Sequence, residues 1–249
     1  MPARLTLVCI PYAGGHAGAF RHWNATLGTA INCLSVCFPG RGPRLREAFC
    51  DSLSNIVDDV EREVRRACRG PLALFGHSMG AMVALELARR WRDGESPPVH
   101  LILSGVAYPE PGKVPRRISD LPDDEFIEEL RRINGTRNEI LCEPELMEMM
   151  VPVLRSDLRL CEEYEFPEFP CLDCPVTVFG GARDPEVDPD KLRLWKTAST
   201  STYFKRVIFP GDHFFVHSEA DLVIEAILSD LRKHLSDSGC ACPCPLPHE

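Results

Sequence analysis

A serine with glycines two positions to either side, Gly76-His77-Ser78-Met79-Gly80, follows the apolar run Leu72-Ala73-Leu74-Phe75. It precedes Met82-Val83-Ala84-Leu85-Glu86-Leu87-Ala88, whose apolar residues recur at helical spacing. Strand, G-x-S-x-G and helix in that order make a nucleophile elbow, in which the serine sits on a strained turn and the glycines let strand and helix approach closely. The hydroxyl then projects above the sheet edge. There the first amides of the helix, and the positive end of its dipole, face any negative charge that develops. The predicted chemistry is acyl transfer through Ser78.

A serine hydroxyl is a weak nucleophile near neutral pH, so it needs a base, and the base needs a partner that fixes its tautomer. Of the eight histidines, His213 follows the last apolar run, in Phe209-Pro210-Gly211-Asp212-His213-Phe214-Phe215, where the chain must turn above the sheet. His16 is a weaker competitor. His77 is expected to point away into the elbow, and His22, His100, His217 and His234 lack a strand-end setting. For the acid, Asp184 lies beyond Gly180-Gly181-Ala182-Arg183, again past the end of an apolar run, and serine, acid, histidine is the chain order expected of such a site. Asp188 and Asp190 are close enough to be rivals, whereas Asp173 precedes the strand, on the wrong edge. The expected oxyanion donors are the amide of Met79, after the nucleophile, and that of Ala13 in Pro11-Tyr12-Ala13-Gly14-Gly15. No Lys-Ser/Thr pair follows these glycines, which argues against a phosphate cradle.

These residues need a scaffold that brings strand ends together. Runs at 5–10, 34–38, 72–75, 101–104, 176–179 and 206–209 read as strands, and helical patterns separate most of them. The segment 52–69 carries an apolar stripe with Asp51 or Ser52 as N-cap, and a final helix spans about 220–235. Such alternation predicts an α/β fold, a mostly parallel sheet with helices on both faces. The stretch from about 108 to 170 breaks the pattern. It holds two helices, one ending at Asn134-Gly135 and a longer one from Pro144 that Pro152 should kink, and reads as an inserted helical lid. The blander alternative is that both are ordinary core-covering helices. One domain over 1–236, followed by a disordered Cys/Pro-rich tail at 237–249, is the expected organisation.

A chain of 249 residues, 44% hydrophobic, can bury a full core of this kind. Its net charge of -9 argues against a nucleic-acid partner, which needs a positive surface. The apolar run at 5–11 is short for a secretory signal and no run approaches a membrane span, so a cytoplasmic location without membrane contact is expected. The twelve cysteines then read mainly as reduced, small apolar residues. Cys171-x-x-Cys174 and Cys240-x-Cys242-x-Cys244 each lack a second well-spaced pair, so no metal is expected.

With these pieces in place the chain resembles the type II thioesterases, the stand-alone editing enzymes of polyketide and non-ribosomal peptide synthesis. The likeness covers nearly all of 7–235. It rests on the segments around Ala13, Ser78, Asp184 and His213, on Pro39-Gly40-Arg41-Gly42, and on Leu154-Arg155-Ser156-Asp157-Leu158. The resemblance implies an α/β-hydrolase fold with a mobile lid, a Ser78-His213-Asp184 triad, and acyl groups tethered to carrier proteins by a phosphopantetheine thioester. It implies no cofactor beyond the phosphopantetheine that the substrate carries. Arg41 and Arg44, after the second strand, are expected to meet the pantetheine phosphate or an acidic carrier helix; Lys113, Arg116 and Arg117 invite the same reading. Arg131 and Arg132 are expected to pair with glutamates on a solvated helix face. Rival functions are an esterase or lipase on oxygen esters, an acyltransferase, and a catalytically silent binding module.

Overall fold

Strands made of uninterrupted apolar residues require cover on both faces, and the chain supplies it with helices that alternate with the strands. The computed structural model describes residues 5–94, 97–110, 112, 116–133 and 143–236. In chain order these form β1 (Leu5–Ile10), α1 (Trp23–Leu27), β2 (Ile31–Ser35), α2 (Leu53–Ala67), β3 (Leu72–His77), α3 (Met79–Trp91) and β4 (His100–Ser104). After these come α4 (Asp123–Arg132), α5 (Pro144–Glu163), β5 (Val176–Gly181), β6 (Phe204–Phe209), α6 (Phe215–Ser218) and α7 (Ala220–Ser236). The six strands lie in the order β2-β1-β3-β4-β5-β6, every neighbouring pair parallel.

Alternate residues of each strand feed two cores. Val8 and Ile10 of β1 pack with Ile56, Val60 and Val64 of α2 and Val83 of α3. Leu5, Leu7 and Cys9 of the same strand pack with Trp23 of α1 and Ile227 and Leu231 of α7. The helix α2 follows its own pattern closely: the hydroxyl of Ser52 accepts from the Asn55 amide at 3.1 Å, and the buried stripe is Leu53, Ile56, Val57, Val60 and Val64. This is the expected α/β-hydrolase arrangement, with the connections after β1 and β3 diverging to opposite sides of the sheet. Such a switch point leaves a crevice at the carboxyl ends of the strands.

Two strand positions differ from expectation. The ladder of β2 runs over Ile31–Ser35, earlier than 34–38, because Val36, Cys37 and Phe38 are buried as the chain leaves the sheet. Only the Val36 amide still reaches β1, donating to the Cys9 carbonyl at 3.1 Å, and the burial of Cys37 and Phe38 marks core contact. The edge strand β6 begins at Phe204, before the apolar run, since a strand exposed along one side tolerates Lys205 and Arg206.

Between β4 and β5 the insert folds as α4 and α5 around a small core of its own, in which Phe126 and Leu130 meet Met147, Val151 and Leu154. Helix α5 continues through Pro152. The Asn134-Gly135 stop, Lys113 and the tail at 237–249 lie outside the described residues. Among the described residues no helix is long and apolar enough to cross a membrane.

Candidate active site

Ser78 stands between β3 and α3 at φ 54°, ψ -118°, the one non-glycine residue with positive φ among those described. A backbone held in that region costs on the order of 1–3 kcal/mol and persists only where neighbours enforce it. The neighbours are the elbow glycines. A Cβ on Gly76 would lie 2.0 Å from the carbonyl oxygen of Gly80, and a Cβ on Gly80 would lie 2.1 Å from that of Ile10. Strand, helix and the end of β1 are therefore in backbone contact, and the Ser78 amide is tied to the Ser104 carbonyl at 2.7 Å.

The acid and the base meet because two loops run together. A Cβ on Gly181 would fall 2.3 Å from the carbonyl oxygen of Asp212, and the Ala182 and Arg183 amides donate to Phe209 and Gly211 carbonyls at 2.9 and 2.8 Å. That pairing carries Asp184 to His213: Nδ1 lies 2.7 Å from Oδ2. The other carboxylate oxygen accepts the Glu186 amide at 3.0 Å. An imidazole whose Nδ1–H is committed to a buried carboxylate presents Nε2 as its basic nitrogen. The rivals are engaged elsewhere. Asp188 accepts the Asp190 amide at 2.9 Å, Asp190 lies 3.5 Å from Arg206, and exposed His16 caps the Gly18 amide at 3.0 Å.

Ser78, His213 and Ala13 line one cavity of about 1080 Å³, walled by Leu158 of α5, Tyr164 and Phe169. Met79 is the first residue of α3, so its N–H has no acceptor within the helix. Ala13 sits in a turn closed by the Gly15 amide on the Tyr12 carbonyl at 2.8 Å, with Gly14 at φ 74°. A strained serine and a carboxylate-held imidazole lining one cavity can carry out acyl transfer. Residues 5–234 match the family model of the thioesterase domain. The chain belongs to the thioesterase family.

The thioesterase is 38% identical over 231 residues to the gramicidin S biosynthesis protein GrsT of Aneurinibacillus migulanus, covering 92% of this chain and 90% of that one. Among solved structures it superposes on RedJ, a thioesterase from the prodiginine biosynthetic pathway of Streptomyces coelicolor, with TM-score 0.83 and 37% identity, over 92% of this chain and 86% of RedJ. The type II thioesterase BorB of the borrelidin biosynthetic cluster gives TM-score 0.83 and 32% identity, over 94% and 95% of the two chains. The kinship read from the motifs therefore holds, and the thioesterase is a thioester hydrolase.

The arginines of the β2 loop are paired within the chain. Arg41 is buried, and its guanidinium grips the carboxylate of Asp157 with both terminal nitrogens, one at 2.8 Å, while Nε reaches the Pro39 carbonyl at 3.3 Å. A buried arginine needs such pairing, so Arg41 presents no open fork to a phosphate. Arg44 is shared between Glu47, at 2.5 Å, and Asp59, and these carboxylates raise its pKa further, Glu47 foremost. Arg116 and Arg132 pair with Glu129 at 2.7 Å. Arg117 does line the cavity, with Asp120 Oδ2 3.8 Å from its guanidinium.

Three site-side residues had no functional role expected of them from the sequence. Asp157 appeared only within a motif, yet it also accepts the Gly14 amide at 2.7 Å. Tyr12 lines the cavity and its hydroxyl meets His217 Nε2 at 2.8 Å. His77 lies beneath the site, its ring 5.1 Å from that of His213 and its Nδ1 2.9 Å from Ser104 Oγ. Burial first, then the neighbouring His213, hold its pKa well below the ordinary histidine value, so it stays neutral. Burial likewise pushes the Cys171 and Cys174 thiols up to about 11 and about 12. The Cys240 to Cys244 cluster lies outside the described residues.

Proposed function

We propose that this protein is an editing thioesterase that removes acyl groups from the phosphopantetheine thioester of carrier proteins in polyketide or non-ribosomal peptide synthesis. The observation that carries the reading is the strained Ser78 sharing a cavity with an imidazole held 2.7 Å from the Asp184 carboxylate. His213 takes the Ser78 proton as the hydroxyl attacks the thioester carbonyl, and the oxyanion rests on the amides of Met79 and Ala13. The pantetheine thiol leaves with the proton returned by His213. Water deprotonated by His213 then attacks the acyl-serine, releasing the acid and restoring Ser78, while Asp184 orients the imidazole and stabilises its charged form.

The insert acts as a lid, since Leu158 and Tyr164 form cavity walls, and selectivity for the acyl group lies there. Arg117, which lines the cavity, takes the role of phosphate contact first expected of Arg41 and Arg44. The reading requires no cofactor of the protein's own and places it in the cytoplasm beside the synthase it serves.

Intact-mass measurement of several acyl-loaded carrier proteins tests this. The wild type is expected to return each favoured carrier to its free thiol form, and Ser78→Ala to be slower by roughly 10⁴-fold or more. Turnover of p-nitrophenyl esters with every carrier left loaded would make it an esterase. Acyl transfer to an added alcohol or amine in preference to water would make it an acyltransferase, and no turnover of any ester would leave a binding module.

A further inference from the structure

The second oxyanion donor hangs on a turn that does not hold itself. Tyr12-Ala13-Gly14-Gly15 is closed by one backbone hydrogen bond, and Gly14 at φ 74° in the third position gives it the type II form. What separates types I and II is the orientation of the central peptide, here the one joining Ala13 to Gly14. The N–H of that peptide is the Gly14 amide, and its acceptor is Asp157 Oδ2 at 2.7 Å.

Asp157 belongs to α5, the helix of the insert. It lies one turn beyond Leu154 on the same face, and Leu154 lies over the same turn: a Cβ on Gly14 would fall 2.6 Å from Leu154 Cδ2. The carboxylate is 1% exposed and clamped by Arg41 through two terminal nitrogens, so it cannot rotate away from Gly14. A buried ion pair stabilises a fold no more than apolar side chains of equal volume would, so stability does not account for this one. Geometry does. Arg41 fixes the carboxylate, and the carboxylate fixes the peptide beside the Ala13 amide.

We infer that Asp157, held by Arg41, is a positioning residue for the oxyanion site, so that the insert helix α5 completes the hole as well as roofing the cavity. This rests on the proposed roles of Ser78 and Ala13. Its consequence is that an acyl group which displaces α5 also loosens the Ala13 donor, making lid position a determinant of rate at the bond-breaking step.

The test must avoid stranding a buried charge, so the main variant is Arg41→Met/Asp157→Leu, which removes both charges at similar volume. Three quantities are compared with wild type: kcat and KM on an acyl-N-acetylcysteamine thioester, affinity for an alkyl boronic acid, and the thermal midpoint. The boronic acid accepts the Ser78 oxygen to form an anionic tetrahedral boronate, with one of its hydroxyl oxygens where the oxyanion would sit. The expected result is kcat lower by about 10²-fold, KM within about twofold, and boronate affinity weakened in parallel with kcat. Wild-type kcat and boronate affinity in the folded double variant would overturn the inference. So would a loss expressed in KM alone. Should the double variant not fold, Arg41→Met/Asp157→Asn, which keeps an acceptor at 157 without the clamp, carries the same comparison with an expected loss of about tenfold, and wild-type values there count against the inference equally. Failure of the wild type itself to hydrolyse the thioester would instead strike the proposed function.

Discussion

Replacing Gly76 by alanine puts the elbow under a load that the structure lets one calculate. Gly76 has no positive φ, so alanine meets no backbone penalty; the whole effect is contact. Its Cβ would lie 2.0 Å from the Gly80 oxygen, 2.4 Å from the Gly80 carbonyl carbon and 2.6 Å from the Ala81 nitrogen. Side-chain carbons essentially never approach closer than 3.0 Å, so strand and helix must part by about 1 Å (3.0 less 2.0). Every atom met is backbone, so no side chain can swing aside. The first turn of α3 is also pressed against the end of β1, where Gly80 nearly touches the Ile10 oxygen, so the shift passes into Ser78 and Met79. A displacement of that size at the reacting group costs about 10²-fold in rate, and overpacking costs about 1–3 kcal/mol of stability. Steady-state hydrolysis of a small acyl thioester, followed by release of its thiol, measures the first, and the thermal midpoint measures the second. A Gly76→Ala protein with wild-type kcat and an unchanged midpoint would refute the claim that strand–helix contact sets the nucleophile.

Asp184→Asn should lower kcat by about 10⁴-fold by releasing the His213 tautomer, whereas Asp188→Asn should leave kcat within about twofold because the Asp188 carboxylate serves its own turn; the pair compared in one thioester assay tests which acid holds the imidazole. Burial lowers the pKa of His100 to about 4, so the folded state stays unprotonated where the unfolded chain binds a proton. Stability is then lost as pH falls from about 6.5 toward about 4, by on the order of 3 kcal/mol from this group. Urea unfolding of His100→Gln at pH 7 and pH 5 should show a flatter pH dependence than wild type, and an identical slope would count against it. Ser52→Ala, which removes the acceptor for the Asn55 amide, should cost about 1 kcal/mol in the same titration at pH 7 and leave kcat unchanged.

The parts of the site that were legible in the sequence are those whose geometry is set by near neighbours. A glycine-flanked serine between a strand and a helix needs no distant partner to be recognised, and the α2 cap and stripe are equally local. Asp184 and His213 were legible at one remove, because parallel strands bring their carboxyl ends to a common edge whatever lies between them. Where tertiary contact overrides local pattern, the reading slipped. The Cys37-Phe38 pair is apolar for the core and not for the ladder. The polar stretch after Pro185 hides a 3-10 helix, Lys191–Ala198, because its buried members, Leu192, Trp195 and Ala198, recur every third residue, the 3-10 period and not the 3.6-residue period of an α-helix. Trp195 is fully buried there, with its indole N–H on the Val106 carbonyl at 3.2 Å.

Arg41 shows why long-range pairing resists such reading. An arginine in a Gly-Pro loop beside a predicted cleft suggests an exposed anion contact, since arginine is almost never fully buried unless paired. Its partner, Asp157, is 116 residues away in sequence, and no periodicity links them. The signal lay on the other side of the pair. In Leu154-Arg155-Ser156-Asp157-Leu158 the aspartate falls on the apolar stripe of α5, between two residues that face the core, where an unpaired carboxylate would cost several kcal/mol. A charge on the inward face of an amphipathic helix therefore calls for a buried cation and for donors to its remaining lone pairs. Arg41 supplies the first and the Gly14 amide the second. The Asp157 carboxylate thus ties α5 to the turn that lines the cavity with Ser78, a link to which nothing in the Gly-Pro loop of Arg41 points.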